Sequence, residues 1–385
     1  MVAPFSIDTY LPSFPSIETE FGVGRALLSQ SLAVYLAAFA VSTIFWGPVA
    51  DRFGRRLVIL LSVSFYALAS IGCALSGNIH ELLMMRVFQG LAASGGFIAS
   101  RAMIRDVHDA KSAHKAMSLL TLLFVIAPAI APILGGWLQG AYGWRSVFWF
   151  LTGFAFLLVL LSVRLTETLH QDARRSIHPV AVFKVYVSTF KHIQYLCLVF
   201  ALSFSFAGMF LYIAGAPSVI FGFLGLGFQD FSVLFVPMVA GMMLGSYLSS
   251  QLAHRLPVHQ TISLGFLLML LAVVGNLVSV HIFVASPVSV LAPLVVYAFG
   301  AAIVMPAIII LILDCFPGHR GSAAAMQGFL QMSVNALVAS VAVPLLEGQW
   351  LYFVCGQSVF LGIGLILWLV VRRKGWVNRR QIAAV

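Results

Sequence analysis

The chain has 385 residues, 61% of them hydrophobic and only 9% charged, with a mean hydropathy of +1.02. A soluble domain is about half apolar and about a quarter charged, and 22 basic plus 12 acidic residues are too few to build a water-facing shell of this size; a soluble globule is excluded and a polytopic membrane protein is implied. The net charge of +10 would suggest nucleic acid in a soluble protein, but here it is first a topology signal.

Residues 1–13, MVAPFSIDTYLPS, open the chain. Thirteen residues at 1.5 Å rise reach roughly 20 Å, short of a hydrocarbon core of roughly 30 Å. With no basic start and no small-residue cleavage site the segment is a poor signal peptide. It reads as the outer half of a first helix whose inner half is missing, so that the sequence begins about 7–10 apolar residues too late. Full-length apolar runs follow at 27–50, 57–76, 81–103, 116–139 and 145–165, then at 192–214, 229–251, 260–280, 289–313, 322–346 and 350–371. The predicted architecture is all-α with twelve transmembrane helices, the first truncated, in two six-helix halves. The first half is 1–165, a polar linker covers 166–191, the second half is 192–371 and a basic tail covers 372–385. Residues 47–56, GPVADRFGRR, and 245–255, GSYLSSQLAHR, occupy matching places in the two halves. A six-plus-six duplication points to a transporter with its binding site between the halves, near the midplane. Cys73, Cys197, Cys315 and Cys355 are widely spaced and lie in or near apolar runs; they read as small buried residues, not as a disulfide framework or a zinc site.

The loops set the orientation. Nineteen Lys and Arg fall in one alternate set of loops and the tail, among them Arg52, Arg55, Arg56, Arg105, Arg255, Arg320 and Arg372, against Arg25 and Arg145 alone in the other set. This positive-inside bias makes the linker and the C-terminus cytoplasmic, and it explains the basic tail without nucleic acid.

Four stretches carry a family resemblance. Gly47-Pro48-Val49-Ala50-Asp51-Arg52-Phe53-Gly54-Arg55-Arg56 resembles the loop 2–3 signature of the major facilitator superfamily. Leu83 to Gly90, LMMRVFQG, is similar to the L-x-x-R-x-x-Q-G motif of its proton-coupled members. Ala131-Pro132-Ile133-Leu134-Gly135-Gly136 resembles the antiporter motif G-P-x-x-G-G, with Ala131 in place of the first glycine. Ser6-Ile7-Asp8-Thr9-Tyr10-Leu11-Pro12 resembles the bicyclomycin-resistance (Bcr/CflA) group of drug exporters, as do Arg105-Asp106 and Trp144-Arg145.

Only Asp8 and Arg86 are charges well inside spans, each costing about 2.5–3.5 kcal/mol at a helix centre on insertion scales. Counted from the outer boundary they lie at similar depths, roughly 8 and 9 Å, which predicts a partnership. A nearby guanidinium and the degree of burial act in opposite directions on a carboxyl group. The resemblance implies that Asp8 is the proton-coupling carboxylate and Arg86 its modulator; a static buried ion pair is the alternative. In the loop, Asp51 is placed to cap or face the next helix N-terminus. Gly47 would permit close helix approach and Gly54 a tight turn. Arg52, Arg55 and Arg56 would pair with Asp51, Asp106 or lipid phosphates. The resemblance implies that this cluster latches the cytoplasmic side in the outward-facing state. Pro128 and Pro132 share one face of span 5 and predict a bend, with Gly135 and Gly136 allowing close packing beside it. Gln327, Gln331 and Asn335, four apart on span 11, and Tyr35, Gln89 and Tyr212 are substrate-cavity candidates; 32 Phe suit amphipathic aromatic ligands.

The function that follows is a proton-coupled antiporter exporting small drug-like compounds across a bacterial inner (plasma) membrane. Its expected partners are the small-molecule substrate, protons and membrane lipid. It is expected to be a monomer, without nucleic acid or cofactor. A proton-coupled exporter of a metabolite such as an amino acid or purine, and a non-transporting relative, are the alternatives. No nucleophile triad, histidine metal cluster or phosphate loop argues for an enzyme.

Overall fold

The structure, a computed structural model, describes residues 2–107, 110–169, 187–253, 255–317 and 320–376. Most of the linker, the tail residues Arg379 and Arg380 and the side chain of Arg105 lie outside the described residues. The described residues form helices and no strands. Eleven of these helices are long and apolar enough to cross a membrane, and their bounds follow the eleven apolar runs to within a few residues, because in hydrocarbon the backbone must satisfy its own hydrogen bonds. The chain divides into two compact units, Met1–Pro179 with Gly227–Ser232, and Val180–Leu226 with Val233–Val385.

In the first unit α1 is Val2–Asp8 and α2 is Phe14–Phe21, joined by a turn and a 3-10 step at Leu11–Ser13. The helical path therefore does not stop at Ser13, as the hydropathy suggested; it breaks and resumes, ending on Gly22 at φ 63°. Pro12 causes the break: it has no N–H to offer the carbonyl of Asp8, four residues earlier, so α1 ends there. The long helices are α3 (Arg25–Phe53), α4 (Arg55–Leu75), α5 (Ile79–Val107), α6 (Ala110–Tyr142) and α7 (Arg145–Val163). α3 and α5 touch closely. A Cβ on Gly90 would meet the Tyr35 carbonyl oxygen at 2.3 Å, the Ser42 and Ser94 hydroxyls lie 2.6 Å apart, and Trp46 Nε1 donates to the Leu91 carbonyl at 2.8 Å. Small residues and side-chain hydrogen bonds hold helices together where lipid removes the hydrophobic drive.

The second unit holds α8 (Ile193–Ala214), α9 (Phe231–Leu252), α10 (Val258–Ile282), α11 (Pro287–Asp314), α12 (Arg320–Leu346) and α13 (Trp350–Arg373). A π-turn at Val338–Ala342 interrupts α12. Ser286 and Ser289 form a capping box at the start of α11. Internal pairings recur in each unit: the third and fourth, third and sixth, and first and fifth spans pack together. The two copies of the loop motif differ in detail. Gly245 packs against the Phe299 carbonyl, 2.2 Å from an added Cβ, whereas a Cβ on Gly47 would meet nothing within 4 Å. Among the described residues nothing approaches Gly47 closely.

The two basic residues that break the loop bias are each neutralised by an acid of α2: Arg25 lies 2.9 Å from Glu18 and Arg145 2.6 Å from Glu20. All four cysteines are free; Cys73 is buried but Cys355 is exposed, which corrects the expectation that all are interior.

Candidate functional site

Arg86 organises the interior of the first unit. It is completely buried, yet its positive charge meets carbonyls, an amide and ring faces. Nη1 donates to the Ser6 carbonyl at 3.1 Å and to Gln89 Oε1 at 2.5 Å, and Nε donates to the Ser31 carbonyl at 3.4 Å. The Ser6 carbonyl is available because the helix breaks before Tyr10 can turn its N–H onto it. Arg86 thus caps the broken end of α1, where the helix dipole favours a cation. Tyr35 and Tyr10 cover the guanidinium with their rings, centroids 4.5 and 4.9 Å away. Gln89 Nε2 donates to Ser70 at 2.8 Å, Ser70 bonds the Tyr66 carbonyl at 2.8 Å, and the Tyr66 hydroxyl meets Ser6 Oγ at 2.5 Å, so the network closes on helix 1.

Asp8, the last residue of α1, is 3% exposed. It makes no ion pair with Arg86 within 4.0 Å, and its Oδ1 is buried without a partner among the described residues. Nη2 of Arg86 is likewise buried and unpartnered. The equal-depth arithmetic brought the two charges to one unit and one level, but the expected pair is not formed: the break in helix 1 gives Arg86 a carbonyl to hold instead.

The loop between α3 and α4 gathers four helix ends. Arg55 pairs with Asp51, one turn earlier, and with Asp106 at the end of α5, 3.2 Å away. Asp51 belongs to α3 and does not cap α4. That role falls to Glu167, which the sequence reading missed. Its Oε1 accepts from the Arg55 N–H at 2.9 Å and its Oε2 from the Arg56 N–H at 3.2 Å. Burial works against its charge, but N–H donors from Leu169, Arg55, Arg56 and Thr168 outweigh it and hold the Glu167 carboxyl below its usual range. Gly54 makes room: its φ is +107°, and a Cβ there would lie 2.2 Å from Glu167 Oε2. Arg56 donates to the Val163 carbonyl at 2.9 Å, and Arg52 lies over the Phe53 ring.

Pro128 and Pro132 lie inside α6. Gly135 lets the broken helix approach, since a Cβ there would meet the Thr9 carbonyl oxygen at 2.1 Å; Gly136 likewise abuts the Phe228 carbonyl at 2.3 Å. The cavity candidates fare differently. Tyr35, Gln89 and Tyr212 are fully buried; Gln89 and Tyr212 belong to hydrogen-bonded networks, whereas Tyr35 meets Arg86 with its ring and its hydroxyl has no partner among the described residues. Asn276 Nδ2 donates to the Tyr212 hydroxyl at 2.9 Å and to Gln357 Oε1 at 3.0 Å. This neutral cluster in the second unit was also missed. On α12, Gln327 donates to Gln331 at 2.6 Å, and Asn335 is 1% exposed with its Oδ1 unpartnered among the described residues.

The Major Facilitator Superfamily model matches residues 1–339. An uncharacterized MFS-type transporter of Bacillus subtilis (strain 168) is 30% identical over 377 residues, 94% of this chain and 92% of the relative. Multidrug resistance protein D of Escherichia coli K12 is 25% identical over 334 residues, 86% of this chain and 83% of the relative. A bicyclomycin resistance protein homolog of Haemophilus influenzae is 28% identical over 256 residues, 66% of this chain and 64% of the relative. Among solved structures, a D-xylose-proton symporter shares the fold at a TM-score of 0.73 and 16% identity, covering 96% of this chain and 94% of that one. Helices, paired six-span units, loop signature and whole-length similarity lead to one conclusion: the chain belongs to the Major Facilitator Superfamily of membrane transporters.

Proposed function

We propose that this transporter exports small drug-like compounds in exchange for protons, with Asp8 carrying the proton and Arg86 modulating it. The carrying observation is Asp8: buried, its Oδ1 without a partner among the described residues, and at the break of a helix whose freed carbonyl holds the guanidinium. The proton affinity of a carboxyl group depends steeply on its hydration and on its distance from a positive charge. A helix already broken at residues 9–13 can change both without unwinding further. Arg86 Nη2, the donor still unused, is the group such a movement would offer to Asp8. Relatives named for multidrug resistance and bicyclomycin resistance support drug-like cargo. The charge bias supports a cytoplasmic place for the basic loops and the C-terminus. Asp51, Arg55, Asp106 and Glu167 would then form the cytoplasmic part of the gate, and Pro128, Pro132, Gly135 and Gly136 the bend against which helix 1 rests. Gln327, Gln331 and Asn335 remain the proposed cargo contacts on α12.

The test begins with a drug-susceptibility panel of cells with and without the gene, which identifies a substrate. Efflux of that substrate is then measured with and without a protonophore. Protonophore-sensitive efflux lost in Asp8→Asn, at equal membrane abundance, is expected. Wild-type, protonophore-sensitive efflux by Asp8→Asn would overturn the assignment.

A further inference from the structure

A line of contacts runs from the surface of the first unit to Arg86. It starts at Glu20, near the end of α2. Glu20 Oε2 accepts from Trp144 Nε1 at 2.7 Å and Oε1 accepts from Arg145 Nη1 at 2.6 Å. Arg145 also donates to the Ser76 carbonyl beyond α4, at 3.1 Å. Trp144 is buried and meets Phe148 edge-on, centroids 6.1 Å apart. Phe148 packs on Tyr10 at 5.3 Å. Tyr10 hydrogen-bonds Ser31 at 3.0 Å and covers the guanidinium of Arg86 at 4.9 Å.

Tyr10 belongs to the break between α1 and α2, where a turn and a 3-10 step, with the Ser13 N–H on the Tyr10 carbonyl at 3.0 Å, replace the α-helical ladder. Its position therefore depends on what holds each side. On the α1 side these are Arg86 and Tyr66 at Ser6, and Gly135 at Thr9. On the α2 side they are Gln139, which donates to Ser16 at 2.5 Å, Arg25, which pairs with Glu18 at 2.9 Å, the Phe21 ring against Trp144, centroids 5.5 Å apart, and Glu20. We infer that Glu20 is a positioning residue: by holding the Trp144 indole and Arg145 it clamps α2 to the start of α7, and through Trp144, Phe148 and Tyr10 it sets the surroundings of Arg86 and Asp8. The inference rests on the proton-coupling reading above. The titratable groups facing the line are Glu18, Arg25 and Arg145 at its surface end, and Asp8, Tyr35, Tyr66, Cys73 and Arg86 at its buried end.

The test uses the full-length protein in nanodiscs and proteoliposomes with Glu20→Ala, Glu20→Gln, Trp144→Phe, Arg145→Gln and Asp8→Asn. Hydrogen–deuterium exchange of the peptide spanning residues 9–21 reads the clamp. The pH dependence of protonophore-sensitive efflux reads the buried site. Glu20→Ala and Trp144→Phe are expected to exchange about fivefold faster, the equivalent of about 1 kcal/mol, and to move the pH of half-maximal efflux by about one unit. Glu20→Gln, which keeps an acceptor for the indole, restores most of both. Arg145→Gln lies between. Unchanged exchange in Glu20→Ala overturns the clamp. Faster exchange with an unmoved pH profile overturns its link to the buried site. Retained proton-driven efflux in Asp8→Asn defeats the proton-coupling reading instead, and leaves the exchange results to judge the clamp alone.

Discussion

Gly54 and Glu167 make one structural device from residues more than a hundred positions apart, and a double-mutant cycle can take it apart. Glu167→Ala removes a carboxylate that accepts two of the orphan N–H groups at the start of α4. Loss of a cap of this kind costs about 1 kcal/mol, and up to about 2 when the acceptor is charged. Gly54→Ala does more. At φ +107° an alanine is strained by about 1–3 kcal/mol, and its Cβ would lie 2.2 Å from Glu167 Oε2. The carboxylate has to leave, so the cap is lost as well and the total reaches about 2–4 kcal/mol. It follows that Glu167→Ala costs about 1 kcal/mol in the wild-type background and close to nothing once Gly54 is Ala, a coupling of about 1 kcal/mol. Thermal unfolding of the purified protein, followed by tryptophan fluorescence, reads this as a melting-temperature drop of about 2–4 °C per kcal/mol. An equal drop on adding Glu167→Ala to both backgrounds would refute the argument that the two residues occupy one space.

Other outcomes follow from the same geometry. Arg86→Lys leaves the Ser6 and Ser31 carbonyls and Gln89 short of a planar, multidentate donor; at about 1–3 kcal/mol for each buried polar group left unpaired, efflux should fall at least about tenfold and the melting temperature with it. Gly135→Ala forces a methyl group onto the Thr9 backbone at 2.1 Å, whereas Gly153→Ala points into open space; the first should cost about 1–3 kcal/mol and impair efflux, the second should be neutral or slightly stabilising in both assays. Folding lowers the carboxyl of Glu167 below its ordinary 4.5, so its stabilising effect is complete above that value and is lost as the pH falls through the folded one. The melting temperature of the wild type should therefore drop more steeply than that of Glu167→Gln as the pH falls below 4.5.

The spans were legible because a bilayer demands one thing of every crossing segment, apolar length, and that is written locally. Asp8 and Arg86 were legible for the same reason, as charges where charges are costly. Their relation was not. Depth counted along two straight helices puts them side by side, but helix 1 breaks after Asp8 and leaves the Ser6 carbonyl to Arg86. Glu167 was invisible because its partners, Arg55 and Arg56, lie across the fold, and a single glutamate in a polar linker carries no local signal. Tyr35 and Gln89 looked like cavity residues because a polar side chain in a span needs a partner; the sequence could not say that Arg86 meets the ring of one and the amide of the other. The opposite case is the pair Arg25 and Arg145, exceptions to the charge bias until the structure matched each with an acid of α2.

Proton flux caused by the substrate tests the central claim most directly. The protein is reconstituted in liposomes carrying a pH-sensitive dye, and a concentration gradient of an identified substrate is imposed without a pH gradient. The wild type should drive protons against the direction of substrate movement, and Asp8→Asn should bind and exchange substrate without moving protons. Protons travelling with the substrate, no proton movement in the wild type, or undiminished flux in Asp8→Asn would contradict an exchange carried by this buried carboxyl group.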